Sequence, residues 1–553
     1  MSEAAVLLAV RGLCVDRPDG SPLLVDVTLE LRAREVVAIF GASGAGKSTL
    51  TTALHEPDSL RARGFAVRAR ETVQASAVGI VPQRGALFDH LSAADNIALA
   101  LRNAEPAVAA DSEAVQAWFR RVDLPAAWGA PGHAVAHVSG GEAQRLAVAR
   151  TLAGGRRVLL LDEPSVGLDP HRVGLLAATL RGQIDAGEAA ALVVTHDLGF
   201  AAAFADRFLF LTSGGPSGPE GGPSGPEGGP SGLEGRPPGS EGDQAARALV
   251  ELDVPARAAD TEARLAAAVR ERLARETGHG GVQARSGWQA RVLAAVGEWA
   301  APFATAARAL AAVPAALRRP RDLLEVLRPT LMQGLVRPGP FFVIVSLLVG
   351  ATLLYIFHRA LGGGGLPVRA DRVFSLIGSM HVLALAPPLS AILFAATSGS
   401  AIAAWLGGMS LTRQTAALRG LGISEARYLW LPAWLGLVFA YLVLAAVFTA
   451  GMIAGGVAYL KLRAPEAGDA LALVTADLVD PPAERAVFRA RALVLVLIYA
   501  VGVASDAVAK GGRDKTSAES VTAAMVRSVM ACTLWVVAVE LVSLVVVYGA
   551  RGG

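Results

Sequence analysis

A glycine-rich stretch near the N-terminus, Gly41-Ala-Ser-Gly-Ala-Gly-Lys-Ser48, constrains the fold of this chain more strongly than any other feature. It fits the pattern G-x-x-x-x-G-K-[ST] and directly follows an apolar run, Val36–Phe40, that is typical of a buried strand. The residues from Ser48 to Leu54 have spacing compatible with a helix. Strand, loop and helix therefore occur in the order that a phosphate-binding loop requires, and the pattern predicts an α/β domain.

The residue types of this loop indicate its chemistry. Glycines let backbone N–H groups turn towards an anion, and the following helix N-terminus adds the positive end of its dipole. Lys47 is expected to reach the β- and γ-phosphates of a nucleotide, and the Ser48 hydroxyl is expected to hold Mg²⁺. The predicted binding residues of the loop are Gly41, Ser43, Gly44, Gly46, Lys47, Ser48 and Thr49.

Apolar residues are distributed unevenly along the 553 residues of the chain. The first part has the composition of a soluble domain, whereas the part after Phe341 contains apolar runs long enough to span a bilayer as helices. The predicted spans lie at about residues 340–361, 374–398, 429–458, 489–508 and 523–548. The third is long and is expected to tilt or break near Gly451, Gly455 and Gly456. We therefore predict a P-loop α/β domain followed by an all-α polytopic membrane domain of about five transmembrane helices.

Composition excludes several other classes of protein. Cys14 and Cys532 are the only cysteines, which argues against a disulfide framework and against a cysteine metal site. The formal net charge is +3, and no basic stripe with interleaved aromatic residues occurs, so we expect no nucleic acid partner. The N-terminal residues lack the basic flank of a secretory signal, so we expect the first domain to be cytoplasmic.

Four polar segments in the soluble part stand beside apolar or helical runs. They are Gln83 after Val78–Val81, Ser139-Gly140-Gly141 before a helical run, Asp162-Glu163 after Val158–Leu161, and His196 after an apolar run. Each has an ordinary alternative: a surface glutamine, a turn or helix cap, solvated acids, and a structural histidine. Their order and spacing together favour one functional site.

With the glycine loop, these segments resemble the ATPase domain of ABC transporters, in the order Walker A, Q-loop, signature, Walker B, D-loop and H-loop. The resemblance covers about Leu7 to Leu211. It implies that Asp162 holds Mg²⁺ through water and that Glu163 polarises the attacking water. It also implies that His196 contacts the γ-phosphate, and that Gln83 senses the metal and couples to the membrane part.

The resemblance further implies a homodimer. Ser139, Gly140 and Gly141 would close over ATP bound to the other subunit, with Asp169 beside that junction. Two features depart from the common pattern: Glu142 stands where glutamine is usual, and the adenine-stacking aromatic is missing. Arg17 is expected to stack on the base through its guanidinium plane instead.

The membrane part resembles the permease of Mla-type phospholipid transporters, the MlaE family, from about Arg318 to Tyr548. In that family a glycine- and alanine-rich helix leads into a short cytoplasmic coupling segment of the form E-Q-x-x-A-L. The corresponding coupling residues here are Met409, Arg413, Gln414 and Leu418, and Arg413 replaces the usual glutamate. The segment Gln83–Asp89 likewise resembles the Q-loop region of the MlaF ATPase.

These resemblances divide the chain into five predicted parts. Residues 1–213 form the ABC ATPase domain, 214–243 a Gly/Pro/Ser/Glu repeat linker, 244–287 a helical connector, 288–339 interfacial amphipathic helices, and 340–553 the MlaE-like permease. The linker repeat has a period of seven but no apolar a/d positions, so it reads as a spacer and not as a coiled coil. For 288–339 an ordinary soluble amphipathic helix stays an alternative.

The resemblances imply an ATP- and Mg²⁺-dependent homodimer of fused half-transporters in the inner membrane, with the ATPase in the cytoplasm. It would move a phospholipid across or out of that membrane, with an MCE-type lipid-binding protein as its external partner. An exporter of a non-lipid substrate and a non-transporting ATP-gated regulator stay open as alternatives. Two intramembrane ionisable residues, Glu540 and His381, are expected to face the helix bundle interior. For Glu540, a structural hydrogen bond and a lipid or coupling role are both open.

Overall fold

The computed structural model describes residues 5–42, 44–74, 78–82, 86–104, 108–129, 132–165, 170–187, 189–212, 249–256, 258, 260–275, 288–362, 370–463, 469–479, 483–515 and 517–549. The predicted linker at 214–243 lies outside the described residues, as do the site candidates Ser43, Gln83 and Asp169. The chain forms two compact units. One is Met1–Arg285 together with Ala416–Gly422, and the other is Ser286–Thr415 together with Ile423–Gly553.

Ten strands form two sheets in the described part of the first unit. They are β1 (Val6–Asp16), β2 (Pro22–Arg32), β3 (Val36–Phe40), β4 (Ala66–Arg68), β5 (Glu71–Gln74), β6 (Val78–Val81), β7 (Val158–Asp162), β8 (Ala190–Val194), β9 (Arg207–Leu211) and β10 (Leu249–Glu251). The larger sheet has the order β10-β9-β3-β8-β7-β6, and its strands are parallel except for β10. The smaller sheet is antiparallel and is built on β1, which pairs with β2, β4 and β5.

Eight helices accompany these sheets in the described residues. They are α1 (Lys47–His55), α2 (Pro57–Ala62), α3 (Ala93–Asn103), α4 (Ser112–Arg121), α5 (Gly140–Ala153), α6 (Pro170–Gly187), α7 (Leu198–Phe204) and α8 (Thr261–Arg275). Every residue of β3 and β8 is buried, which is the pattern of parallel strands covered by helices on both faces. The predicted α/β fold is therefore confirmed. The strand ends that precede the predicted site residues lie at one edge of the sheet, because parallel strands point the same way.

The connector after the linker differs from its prediction as helix alone. Leu249–Glu251 forms β10, which pairs antiparallel with β9, and only the later part, α8, is helical. Arg207 of β9 donates from Nε to Glu251 at 2.7 Å and from Nη1 to Glu35 at 2.9 Å. A short strand of this kind is stabilised by the open edge of its neighbour and not by its own propensity.

The second unit is helical in its described residues. Its helices are α9 (Trp288–Ala311), α10 (Val313–Leu317), α11 (Pro320–Leu331), α12 (Gly339–Gly362), α13 (Ala370–Phe394), α14 (Ser400–Leu411), α15 (Gln414–Gly420), α16 (Leu431–Arg463), α17 (Ala470–Val479), α18 (Ala483–Gly511) and α19 (Ala518–Gly549). The last residues of α15 belong to the first unit. Single π turns at Met332–Val336, Ala395–Gly399 and Ala426–Trp430 join α11 to α12, α13 to α14, and lead into α16.

Five helical segments in the described residues are long and apolar enough to cross a membrane, as predicted. They are Pro320–Ala360, His381–Leu411, Ala426–Arg463, Ala486–Gly511 and Ala518–Val547. The first begins well before the predicted residue 340, and the second ends well after the predicted residue 398. In both cases a π turn keeps the backbone helical where the sequence pattern indicated a boundary.

The third predicted span does not break at its glycines. Helix α16 is continuous, and its glycines lie where α12 approaches it closely. A Cβ at Gly455 would lie 2.1 Å from the Leu347 carbonyl oxygen, and one at Gly451 would lie 1.8 Å from Ser346 Oγ. From the side of α12, a Cβ at Gly350 would lie 2.1 Å from the Met452 carbonyl oxygen. These glycines therefore permit backbone-to-backbone packing of two membrane helices.

Candidate nucleotide site and coupling segment

The glycine loop connects β3 to α1 with the backbone geometry that a phosphate-binding loop needs. Gly41, Gly44 and Gly46 have φ angles of 155°, 76° and 99°, which favour glycine. A Cβ at Gly41 would lie 2.9 Å from the Leu211 carbonyl oxygen, whereas Gly44 faces open space. The loop therefore keeps its interior free of side chains at these positions, as required for the close approach of a phosphate to backbone N–H groups.

Lys47 is the first residue of α1, and its side chain lies over the loop. The residue is 8% exposed, and its Nζ donates hydrogen bonds to the carbonyl oxygens of Gly41 at 2.7 Å and Ala42 at 3.0 Å. The ammonium group thus lies beside the loop that it is predicted to serve. Ser48 is exposed and Thr49 is half-buried in the first turn of α1.

The two acids at the end of β7 and the histidine after β8 are close together. Asp162 ends β7 in register with Val194, which ends β8. The Glu163 backbone has a φ of 51°, and its N–H donates to the Val194 carbonyl oxygen at 2.8 Å. The Glu163 carboxylate accepts a hydrogen bond from the His196 backbone N–H at 3.2 Å and lies 3.3 Å from His196 Nε2.

The contact with His196 fixes the position of the Glu163 carboxylate. The Glu163 side chain is 13% exposed, whereas the His196 imidazole is 62% exposed. The imidazole is therefore accessible to solvent, and the largely buried carboxylate is held by the His196 backbone N–H. β3 and β7 both pair with β8, with Ile39 and Asp162 each opposite Val194. The register therefore brings the glycine loop, Asp162 and Glu163 to one sheet edge.

The oxygen ligands present suit Mg²⁺. Magnesium is usually bound through one or two carboxylates together with phosphates and waters, and not by a cage made of protein alone. The Ser48 hydroxyl and the Asp162 carboxylate lie at the same sheet edge as the glycine loop and supply hard oxygen ligands of this kind. Among the described residues, no three or more His, Cys, Asp or Glu side chains form a group that could hold a metal.

The predicted signature residues form the exposed N-terminus of α5. Ser139 is the N-cap, and its backbone N–H donates to the Glu142 carboxylate at 2.9 Å in a capping box. Ser139 and Gly140 are exposed, and Gly141 is buried. Glu142, which departs from the usual glutamine, therefore fixes the backbone of the segment that is predicted to close over a nucleotide.

Arg17 lies in the turn between β1 and β2. Its Nη1 donates to Ser21 Oγ at 3.0 Å and to the Pro22 carbonyl oxygen at 3.4 Å. These bonds hold the guanidinium next to its own turn. The stacking of Arg17 on adenine stays a prediction.

Sequence reasoning missed Arg150, a fully buried arginine of α5. Its Nη1 donates to the Ala86 carbonyl oxygen at 2.7 Å, and its guanidinium lies 4.5 Å from the centre of the Phe88 ring. Burial lowers the pKa of Arg150 to about 9. The residue fastens α5 to the segment that follows Gln83. A charged residue among the apolar positions of a helix was the signal for it.

The four predicted coupling residues divide between the two units. Met409 and Gln414 are buried in the second unit, and Gln414 Nε2 donates to Thr412 Oγ1 at 3.0 Å. Arg413 has a φ of 58° and forms the corner between α14 and α15. Leu418 is fully buried and belongs to the first unit.

Within the first unit, residues Ala416–Gly422 contact the ends of three elements that carry site motifs. Arg419 pairs with the Glu56 carboxylate, directly after α1. A Cβ at Gly420 would lie 3.0 Å from the Ile80 backbone nitrogen of β6, the strand that precedes Gln83. A Cβ at Gly154, the residue after α5, would lie 2.8 Å from the side chain of Leu421.

His55 lies beside this contact and was not singled out by the sequence. Its side chain is 7% exposed, and its Nε2 is 3.4 Å from Glu56 Oε1. Burial, together with the positive charge of Arg419, lowers the pKa of His55 to about 4. The imidazole is therefore neutral at physiological pH.

The two membrane candidates are both placed inside the bundle. Glu540 of α19 pairs with Arg491 of α18 at 2.6 Å and accepts a hydrogen bond from the Tyr499 hydroxyl at 2.8 Å. Arg491 Nε also donates to Ser543 Oγ at 3.0 Å. Glu540 therefore makes a hydrogen bond and an ion pair to α18, and the choice between a structural and a lipid or coupling role stays a prediction. His381 is 4% exposed in α13.

Two family descriptions match separate parts of the chain. Residues 24–166 match "ABC transporter", and residues 330–546 match "Permease MlaE". These ranges correspond to the part with the glycine loop and to the part with the five apolar spans.

Individual relatives match the first part. The chain is 37% identical over 211 residues to the Fe(3+) ions import ATP-binding protein FbpC 2 of Pectobacterium atrosepticum, a match that covers 35% of this chain and 58% of that protein. It is 33% identical over 202 residues to the glutamine transport ATP-binding protein GlnQ of Bacillus subtilis, which covers 35% of this chain and 81% of that protein. The chain thus spans less than two thirds of the length of FbpC 2.

A solved dimeric ATP-binding cassette in a post-hydrolysis state, bound to ADP and Pi, is 21% identical with a TM-score of 0.31. That match covers 37% of this chain and 93% of that chain.

Proposed function

We propose that this chain, which belongs to the ABC transporter family and joins an ATP-hydrolysing domain to an MlaE permease domain, drives a phospholipid across or out of the inner membrane. The observation that carries the proposal is the fusion itself. A permease of the MlaE type follows, on one polypeptide, an ATPase whose acids and glycine loop meet at one sheet edge. Lipid transport is the activity that a permease of this type supports.

The motifs and the resemblance suggest the proposed roles of the ATPase residues, and the geometry described above supports them. Lys47 and the loop N–H groups bind the phosphates, and Ser48 and Asp162 hold Mg²⁺, which neutralises charge on the phosphates when bound. Glu163, held by the His196 backbone N–H, orients and polarises the attacking water. His196 keeps its exposed imidazole for the γ-phosphate. Gln83 and Asp169 complete the site as proposals from the resemblance.

The working unit is proposed to be a homodimer. Ser139 and Gly140 stand exposed at a capped helix N-terminus, a geometry that suits contact with a phosphate bound to another copy. Such a dimer places two ATP molecules between two copies and gives each copy the other's signature. An MCE-type lipid-binding protein on the far side of the membrane is the proposed lipid partner.

The catalytic part is tested with Glu163→Gln in the purified full-length protein. We expect ATP to bind and remain trapped, while hydrolysis falls by roughly 10²-fold or more because the water loses its base. Glu113→Gln, at an exposed position of α4, is the matched control and should hydrolyse ATP normally. Undiminished turnover in Glu163→Gln contradicts the assignment.

The lipid part is tested in proteoliposomes that carry a fluorescent phospholipid. We expect ATP-dependent movement of the lipid by the wild type, in the presence of a candidate lipid-binding partner, and none by Glu163→Gln. ATP hydrolysis without lipid movement would favour the regulator, and transport of a different solute would favour a non-lipid exporter. Both outcomes contradict the proposal.

A further inference from the structure

A cavity of about 260 Å³ lies in the second unit between α9, the π turn that ends at Trp430, and the end of α18. Its lining includes Thr305 and Arg308 of α9, Trp430, and Gly512 and Arg513 after α18. None of the described residues that line the cavity is acidic, whereas two of them are arginines. The composition of the lining therefore favours an anionic ligand.

Arg308 supplies an unpaired positive charge to this cavity. The residue is exposed, and it forms neither an ion pair nor a hydrogen bond with any residue that the structure describes. A guanidinium group carries five N–H donors in a fixed planar fork, which can contact two oxygens of one phosphate group at the same time. The charge and the donors of Arg308 are therefore available to a phosphate group in the cavity.

Trp430 supplies a second N–H donor. Its ring packs against the apolar cluster that contains Ala309 and Leu431, and this packing holds the ring between α9 and the start of α16. A Cβ at Gly512 would lie 2.8 Å from Trp430 Nε1, so the indole nitrogen lies over a position that has no side chain. Within the described part of the chain, Nε1 has no hydrogen-bond partner. The indole N–H is therefore available to an acceptor in the cavity.

The cavity lies at the ends of two candidate membrane spans. Trp430 is the fifth residue of the span Ala426–Arg463, and Gly512 directly follows the span Ala486–Gly511. Tryptophan is enriched at this depth, where the headgroups of the lipids lie. The span that contains Trp430 begins four positions after the segment Ala416–Gly422, which belongs to the first unit. The cavity therefore lies at the membrane face on which the coupling segment leaves the bundle.

The other side of α9 is apolar. Phe303 and Leu310 are 57% and 49% exposed, and neither lines this cavity. They are seven positions apart, which is two turns, so they lie on the same side of the helix. A helix with an exposed apolar side at the edge of a bilayer lies against lipid. A lipid beside α9 therefore has its headgroup close to the cavity, an advantage that a soluble anion does not have.

We propose that this cavity binds the phosphate group of an anionic phospholipid from the leaflet on the side of the coupling segment. The phosphate oxygens accept hydrogen bonds from the Arg308 guanidinium and from Trp430 Nε1, and the acyl chains stay in the bilayer beside Phe303 and Leu310. Basic pockets between membrane helices suit such headgroups on the cytoplasmic side, since that leaflet carries the negative surface charge. The bound lipid joins α9 to the turn that leads into α16.

Binding is measured without ATP, so the test does not depend on whether the bound lipid is the transported cargo. The delipidated full-length protein is titrated with phosphatidylglycerol, phosphatidylcholine or inorganic phosphate and examined by native mass spectrometry. We expect phosphatidylglycerol to bind more tightly than the other two, because Arg308 attracts its net negative charge and its acyl chains stay beside α9. Absence of ATP-driven lipid transport with this binding intact would contradict the proposed function alone.

Variants locate the binding. Arg308→Gln should weaken phosphatidylglycerol binding roughly tenfold, the effect of one charge-assisted hydrogen bond, and Arg308→Lys should retain most of it. Trp430→Phe keeps the ring and removes the N–H donor, so it should weaken binding roughly fivefold. Arg318→Gln is the matched control and should bind normally, because Arg318 is also an exposed arginine but does not line the cavity. Equal melting temperatures show that the variants are folded.

Three results would overturn the proposal. The first is equal affinity for phosphatidylglycerol and phosphatidylcholine that Arg308→Gln does not change. The second is an equal loss of binding in Arg308→Gln and Arg318→Gln, which would assign the effect to general surface charge. The third is inorganic phosphate binding as tightly as phosphatidylglycerol, which would make the cavity a site for soluble anions.

Discussion

The Arg419 guanidinium pairs with the carboxylate of Glu56, the residue directly after the helix that begins at Lys47. Helix α1 has nine residues, so about 14 Å of rigid helix separates Lys47, which is proposed to bind phosphate, from this ion pair. Both side chains are largely buried, with 28% of Arg419 and 14% of Glu56 exposed. A change at the nucleotide site that moves α1 therefore also moves Glu56, the ion-pair partner of Arg419.

Reversal of either charge should uncouple hydrolysis from transport. Glu56→Arg or Arg419→Glu places like charges in contact, and we expect the lipid moved per ATP hydrolysed to fall roughly fivefold or more. The double variant Glu56→Arg/Arg419→Glu restores the attraction and should recover most of the coupling. The measurement is the ratio of transport rate to ATPase rate in proteoliposomes.

Asp58→Arg is the control for this series. Its side chain is 91% exposed in an ion pair with Arg61, so solvent screens the pair and coupling should be unchanged. If the double variant lost as much lipid transport per ATP as the two single variants lose together, the ion pair itself would not transmit the motion.

Because Glu142 belongs to the capping box of α5, we expect its replacement by alanine to have a larger effect than its replacement by glutamine. Glu142→Ala removes the acceptor of the Ser139 N–H and should lower the free energy of unfolding by about 1 kcal/mol. It should also reduce ATPase activity, because the signature backbone loses its fixed conformation. Glu142→Gln retains a capping side chain and should behave almost as the wild type. Chemical denaturation and steady-state hydrolysis measure the two effects, and equal behaviour of both variants would contradict the capping role.

The Glu540–Arg491 pair predicts strong non-additivity. Glu540→Leu or Arg491→Leu alone leaves an uncompensated charge inside the bundle and should destabilise the protein by roughly 3–5 kcal/mol. The double variant Glu540→Leu/Arg491→Leu removes both charges and should lie much closer to the wild type in melting temperature. Arg489→Leu, at an exposed position two residues from Arg491, controls for the loss of an arginine near this end of α18. Additive losses in the double variant would argue against a direct pair.

His55 predicts a dependence of stability on pH. Its pKa is about 4 in the folded protein, below the ordinary value of 6.5, so the unfolded chain binds a proton first as the pH falls. This contribution to stability is complete above pH 6.5 and is lost as the pH falls towards 4. At a pH near 5 the loss is about 2 kcal/mol.

Hydrogen exchange of the segment 416–422, measured at pH 7.5 and pH 5, tests this expectation. After correction for the intrinsic pH dependence of amide exchange, we expect lower protection factors at the lower pH in the wild type and a smaller decrease in His55→Gln. His137→Gln, at an exposed histidine, should keep the wild-type response. An unaltered pH response in His55→Gln would assign the effect to other groups.

The nucleotide loop and the number of membrane spans could be predicted because both depend on local spacing. The glycines, Lys47 and Ser48 occur within eight residues, and β3 before them is entirely apolar. A span needs only about 20 consecutive apolar residues, which a single segment displays by itself. The boundaries were less predictable, since the π turns at Met332–Val336 and Ala395–Gly399 continue helices that the pattern alone would have ended.

Contacts between residues that are far apart in the chain have no such local signal in the sequence. Arg419 and Glu56 are 363 positions apart, and no periodicity of the chain connects them. Strand β10 is three residues long and is stabilised by the edge of β9, which it reaches from beyond the linker. The span of α16 was expected to tilt or break near its glycines, yet the helix is continuous and the glycines allow its close contact with α12.

The sequence by itself therefore determined the glycine loop between β3 and α1, the position of the two acids at the end of β7 and the division into a soluble and a membrane part. Local spacing and composition are sufficient for these features, because each is completed within one strand, loop or helix. Only the tertiary structure decided which charges meet, such as Glu540 with Arg491 and Glu56 with Arg419. The free energy of such a pair depends on the burial and distance of two side chains, and packing of the whole chain sets both.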